Sequence, residues 1–385
     1  MKLASPVVRL LAVVGATSLL FLALEGVSHL WLAHLASPEA FARYASVHQW
    51  QERTGGEQRF SKHVYLGMYP TPGFESGNDR HDARGFRGRE IEVPKPEGQF
   101  RIVCAGGSTT YGSDVDDFRV SYPDQLEAVL HERGYTNVRT VNSGCPFWSS
   151  TESLLDLVTR VLDLEPDLLI VYHGVNDVRW RFVWPPEAYR GDNSGAVLAP
   201  PNVRVPPFYE QSTLIRALLV RAGAIQPQII FERTIVKPAP TLYADRFFGQ
   251  FGRGTYPEPP FDEVSVMRML DANPPSFFQR NLELMATSAH HRGARTVLAT
   301  FAYYPNFGKA PHTASPEYQR ALREANEATL AAAAASGASA FDFAARFPAD
   351  RSLFTDGIHL RPKGNRVKAE LFADFLIEHG LIPRP

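Results

Sequence analysis

The chain has 385 residues, 44% hydrophobic and 21% charged, enough to bury a core in one large or two ordinary domains. Lys+Arg 40 against Asp+Glu 41 leaves a net charge of -1, which gives no electrostatic footprint for nucleic acid. Two cysteines, Cys104 and Cys145, make no disulfide framework, though a single bridge between them stays open, and the twelve histidines show no HExxH or Cys/His ligand spacing, so no metal or other cofactor is implied.

Residues 1–36 read as a membrane anchor or signal segment. Lys2 and Arg9 precede an uncharged stretch from Leu10 to Leu24, which Glu25 ends. Counted from Val7, with Arg9 reaching back to the interface, the stretch nears the lower limit of a span. Gly26-Val27-Ser28 is the only fair cleavage candidate and it follows an acid, so an uncleaved anchor is preferred over a cleaved signal. The leading positive charge places the N-terminus in the cytoplasm and the bulk outside. Cleavage would give a secreted or periplasmic chain instead.

Residues 37–99 form an extended, Pro/Gly-rich lead-in laid against the main domain. From Phe100 to the end, strands and helices alternate. Strand "FRIVCAGG" precedes helix "SYPDQLEAVLHERG", with Ser121 as cap and a face of Leu126, Val129 and Leu130. Strand "VRTVNSG" precedes "STESLLDLVTRVLDLEP", with a face of Leu154, Leu155, Val158, Val161 and Leu162. "DLLIVYHGVND" is a near-continuous apolar run, as a strand buried on both faces requires. Helix "SFFQRNLELMATSAHHRG", strand "ARTVLATFAYYP", helix "SPEYQRALREANEATLAAAAASG", strand "ASAFDF" and a last helix over about 363–379 complete the series. The pattern predicts an α/β domain over 100–385, an open five-stranded parallel sheet with helices on both faces. An insertion at about 181–272 interrupts it, rich in proline and aromatics, with one amphipathic helix, "STLIRALLVRAGAIQ". It suits a decorated crossover loop, a lid or substrate-binding wall, or a segment that touches the membrane or a partner.

Ligands in such sheets bind beyond the carboxyl ends of the strands. Those ends carry Gly107-Ser108, then Gly144, then Gly174 and Asn176, and after the last strand Asp356 and His359 in "FTDGIHL". Nucleophile, base, orienting acid and oxyanion donors are the set an acyl-transfer site needs. Asp356 and His359, three residues apart in a turn, can pair through one ring nitrogen while the other faces Ser108.

In its blocks "AGGSTTYG", "NSG", "GVND" and "DGIH", in that order, the chain resembles the SGNH/GDSL hydrolase superfamily. "GFRGREIEVPKPEGQFRIV" resembles the lead-in of membrane-anchored bacterial members. The resemblance implies a flavodoxin-like three-layer sandwich. It implies Ser108 as nucleophile, His359 and Asp356 as its partners, and Ser108, Gly144 and Asn176 as the oxyanion hole. The expected activity is an extracytoplasmic serine esterase acting through an acyl-enzyme on an ester substrate, acylated carbohydrate or lipid. An O-acyltransferase modifying a polysaccharide shares the same triad. A non-catalytic envelope assembly protein would lack a triad member. Partners other than the substrate and the membrane, and the oligomeric state, have no signature in the sequence.

Overall fold

Five short apolar runs pair as one parallel sheet in a computed structural model that describes residues 6–46, 49, 59–63, 65–192, 207–225, 242–305, 307, 308 and 310–384. The strands are β1 (Phe100–Gly106), β2 (Val138–Gly144), β3 (Leu168–Tyr172), β4 (Arg295–Ala299) and β5 (Ser339–Phe341), in the order β2-β1-β3-β4-β5. This is the flavodoxin-like order. All seven residues of β1 and all five of β3 are buried, because helices cover both faces. The register aligns the strand ends: Gly106 lies opposite Gly144 and Tyr172, and Tyr172 lies opposite Ala299. The loops that follow β1, β2, β3 and β4 therefore leave from one level.

Helices Tyr122–Glu132 and Pro362–Glu378 pack together, and helices Ser150–Thr159, Ser276–His291 and Pro316–Ser336 form a second group, which gives three layers. Most boundaries fall within a residue or two of the sequence expectation. Two local expectations are corrected. Ser121 occupies the N-cap position, but its hydroxyl accepts from no N–H of the helix and instead donates to the first-turn side chain of Asp124, at Oδ2 (3.2 Å). Val158 is exposed and Leu157 is buried, because the helix ends at Thr159 and the chain tightens into a single turn over Val161–Leu164. The two cysteines are free and buried.

Contacts divide the chain into two compact units, residues 1–55 with 199–236, and residues 56–198 with 237–385. In the first, helix Pro6–Leu30 continues as a wider turn over Trp31–Leu35. Together they are long and apolar enough to cross a membrane, and an 18-residue stretch of it buries nothing. Lys2 lies outside the described residues. Helix Thr213–Arg221, from the insertion, belongs to this unit. In the second unit the insertion supplies two further helices, Ala244–Arg253 and Val266–Ala272, which the sequence pattern did not suggest.

Candidate active site

β1 ends at Gly106, and Ser108 opens a one-turn helix, Ser108–Tyr111, with Gly107 as its cap. A Cβ on Gly107 would lie 3.0 Å from both Asn176 Nδ2 and Trp148 O, a tight contact that glycine avoids. The strand thus ends by turning its first helical residue, Ser108, toward the loop before the last helix.

That loop is folded on itself. Phe354 bridges Leu360, and Thr355 N–H donates to His359 O (2.9 Å). Within it Asp356 Oδ1 accepts from the N–H groups of Ile358 (2.9 Å) and His359 (2.8 Å), and Oδ2 meets His359 Nδ1 at 2.7 Å. His359 Nε2 lies 2.8 Å from Ser108 Oγ. The structure brings Ser108, His359 and Asp356 into one continuous relay across 251 residues of sequence. With Nδ1–H donated to Asp356, Nε2 is left to accept the Ser108 hydroxyl proton.

The electrostatics agree with that arrangement. Burial works against charge on both partners, yet the hydrogen bond to His359 and its charge hold the Asp356 carboxyl down at about 2. Burial likewise pulls the His359 imidazole down, but the hydrogen bond and charge of Asp356, with Asp114 adding to them, raise it above the ordinary histidine value. Asp114 also accepts a very short hydrogen bond from Thr355 Oγ1. One acceptor atom each of Asp114, Asp356 and His359 lies within 4.8 Å of the others. Both ring nitrogens of His359 are engaged within this cluster, by Asp356 and Ser108.

Asn176 is placed at the same rim but differs from expectation. It lies in the first turn of a short helix, Val175–Arg179, and its Nδ2 donates to Trp148 O (2.8 Å). That bond uses one of two amide hydrogens and fixes the carboxamide beside Gly107. Its neighbour Asp177 is buried and accepts from Ser150 N–H (2.9 Å) and Ser150 Oγ (2.6 Å), which ties the loop after β3 to the helix after β2.

Gly144 lies at the same rim, but its N–H is engaged. Its N–H donates to Asn142 Oδ1 (3.0 Å), and it is glycine because a Cβ there would lie 2.3 Å from Tyr111 N. Three residues on, Phe147 holds φ +67°, a left-handed conformation costly for a bulky side chain. No sequence signal marks it, since glycine is the residue that announces such a turn.

The sequence reasoning also missed Arg87. Its Nη1 donates to Tyr111 O (2.5 Å) and Gly112 O (2.8 Å), Nη2 to Val115 O (2.7 Å), and Nε to Asp79 Oδ1 (2.7 Å). It thereby satisfies the carbonyls at the end of the Ser108 helix. The "GFRG" block of the lead-in was the available signal.

A flavodoxin-like sheet with a serine, a histidine and a carboxylate in relay at its carboxyl rim defines a serine hydrolase of the SGNH/GDSL class, acting on ester bonds. The profile of the GDSL-like Lipase/Acylhydrolase family matches residues 104–367, and the chain belongs to that family. Among solved structures, the chain is similar to a lipase/acylhydrolase from Enterococcus faecalis, with 17% identity over 73% of this chain and 97% of that one and a TM-score of 0.42. It is also similar to a mutant of an acetyl-xylooligosaccharide esterase from Geobacillus Stearmophilus, at 14% identity over 73% and 94% of the chains with a TM-score of 0.41. A third similar structure is TesA, at 14% identity over 73% and 99% with a TM-score of 0.40. No curated protein matches the chain.

Proposed function

We propose that the protein is a membrane-anchored, extracytoplasmic esterase that removes acyl groups from cell-envelope carbohydrate. The relay Ser108–His359–Asp356 carries this reading. Ser108 Oγ attacks the acyl carbonyl carbon while His359 Nε2 takes its proton. Asp356 stabilises the imidazolium that forms. The carbonyl electrons move onto oxygen, where Ser108 N–H and the remaining Asn176 Nδ2–H stabilise the charge. Ser108 N–H suits this task because the first amides of a helix have no partner within it. Gly144 is left out because its N–H is engaged. As the tetrahedral centre collapses, the ester C–O bond breaks and His359 gives its proton to the leaving alcohol. Water, deprotonated by His359, then attacks the acyl carbon, the bond from that carbon to Ser108 Oγ breaks, and His359 returns the proton to Ser108 Oγ as the acid leaves.

A groove of about 570 Å³, lined by Phe307, Asp350, Arg351, Ser352, Thr355 and Arg361, adjoins the loop that carries Asp356. Arg351 covers the Phe307 ring at 4.8 Å. The leading apolar helix with Arg9 at its start supports the anchor and its sidedness.

An ester panel from acetyl to long-chain, on sugar and simple alcohols, tests the reading on purified protein. Preference for short acyl groups on saccharides with release of free acid is expected. Preference for long-chain lipid esters, or acyl transfer to a sugar without acid release, overturns it.

A further inference from the structure

Glu25 is the carboxylate that ends the uncharged stretch Leu10–Leu24, and an acid beside the hydrocarbon is costly unless it is paired. Its partners come from the insertion. Ser212 Oγ donates to Glu25 Oε2 (2.6 Å), Thr213 N–H to Oε1 (2.7 Å) and Leu214 N–H to Oε2 (3.0 Å). These are the unpaired first amides of helix Thr213–Arg221 and its cap residue, so the carboxylate meets the positive end of that helix.

A second set of contacts holds the same unit. Gln49 Nε2 donates to Thr213 Oγ1 (2.7 Å) and lies 3.4 Å from His29 Nδ1. Arg216, buried, donates from Nε to Tyr44 O (3.1 Å) and pairs with buried Glu210 at 3.6 Å. Leu32 packs with Phe41 and Ala45. The leading helix is thus built into a folded unit that includes chain 187 to 189 residues away. A signal peptide cut near Gly26-Val27-Ser28 would take Glu25 with it and leave those amides and Ser212 without their acceptor.

The depth of the clasp follows from helix geometry. From Val7 to Leu24 the helix rises about 27 Å, close to the roughly 30 Å of a hydrocarbon core. Glu25 then falls at the outer boundary. The chain joined to it there, Phe208–Arg221, exposes three large apolar side chains: Phe208 at 83%, Tyr209 at 41% and Leu218 at 57%. Its other face is buried through Thr213, Arg216 and Val220. Aromatic rings at that depth match the interfacial belt of membrane proteins, and an exposed apolar side on a helix at the boundary is covered by lipid.

From this we infer that residues 208–221 are a membrane-interface element, clasped by Glu25 to an anchor that is never cleaved, with Phe208, Tyr209 and Leu218 resting in the outer boundary of the bilayer. This rests on the anchor reading above.

The test uses the full-length chain in phosphatidylcholine vesicles. Cys104 and Cys145 are buried, so Phe208→Cys takes a thiol-reactive, environment-sensitive fluorophore at one place. The expected result is flotation with the vesicles, an intact N-terminus, blue-shifted emission, and stronger quenching by shallow than by deep spin-labelled lipids. Glu25→Gln should keep flotation but shift the emission toward its value in water. Flotation with water-like, unquenched emission at position 208 overturns the inference and leaves the anchor standing. Unchanged emission in Glu25→Gln overturns the clasp. Failure to float, or a mature start near His29, overturns the anchor reading itself.

Discussion

Arg87 lies against the ring of Tyr111, its guanidinium carbon 4.4 Å from the ring centre, while its Nη1 holds the Tyr111 carbonyl at 2.5 Å. His81 Nε2 meets the Tyr111 hydroxyl at 2.8 Å from the other end. Tyr111 closes the single turn that Ser108 opens, so the lead-in grips the nucleophile's helix at both its backbone and its side chain. A one-turn helix is marginal by itself, and this grip replaces the length it lacks.

Replacing Arg87 by alanine should therefore cost both stability and rate. Arg87 and Asp79 are fully buried, and breaking such a pair typically costs about 3–5 kcal/mol. Asp79 keeps Arg59 at 2.7 Å, which places the cost at the lower end. Thermal melting and steady-state kinetics on the same preparation check this. Arg87→Lys should recover part of the melting temperature and less of kcat, because one ammonium cannot reach three carbonyls in a planar fork. A wild-type kcat in either variant would show that the grip does not position Ser108.

The pH dependence follows from His359. Its folded value is raised, and catalysis needs it neutral, so kcat/KM should fall as pH drops through a value above the ordinary 6.5. Asp114→Asn removes one of the charges that raise it, and the acidic limb should move to lower pH with the plateau rate retained. For stability the signs are opposite for the two partners. The contribution of charged His359 is present below about 6.5 and is lost as pH rises through its raised value. That of Asp356 is present above the ordinary 3.8 and is lost as pH falls toward about 2. A limb that stays in place in Asp114→Asn would remove Asp114 from the electrostatics of the site.

For Asn176→Ala, loss of an oxyanion donor typically lowers kcat by about 10²–10³, roughly 3–4 kcal/mol. KM should change little. The bond to Trp148 O adds a structural component, so a modest fall in melting temperature accompanies it. A stable variant with wild-type kcat would exclude Asn176 from the hole.

Phe147 offers a test of strain. A left-handed backbone at a residue with a Cβ costs about 1–2 kcal/mol, and glycine escapes it. Phe147→Gly should raise the melting temperature, and Phe147→Ala, which keeps the Cβ, should not. An unchanged or lower melting temperature in Phe147→Gly would show that the left-handed backbone costs nothing here.

The sheet was legible because its strands are buried on both faces and so appear as unbroken apolar runs, as Ile102 to Ala105 and Leu168 to Tyr172 do. The relay was legible because Ser108 stands directly after a strand with a recognisable end, and Asp356 and His359 lie three residues apart in the loop before the last helix. What escaped depends on contacts between distant segments. Arg87 reads as one cation in a polar lead-in until Tyr111 is placed above it. Gly144 reads as a donor until Asn142 Oδ1 takes its N–H and Tyr111 explains why it has no side chain. Glu25 reads as the end of an apolar run until Ser212 and Thr213 arrive from the insertion. The bond from Asn176 to Trp148 likewise joins two loops whose proximity no local pattern encodes.

The central claim is that Ser108 becomes acylated through His359. A fluorophosphonate probe on wild-type, Ser108→Ala and His359→Ala proteins, followed by peptide mass mapping, tests it most directly. Labelling confined to Ser108, absent in Ser108→Ala and strongly slowed in His359→Ala, with all three proteins equally folded, is the predicted result. Labelling at another residue, or esterase turnover undiminished in Ser108→Ala, would contradict it.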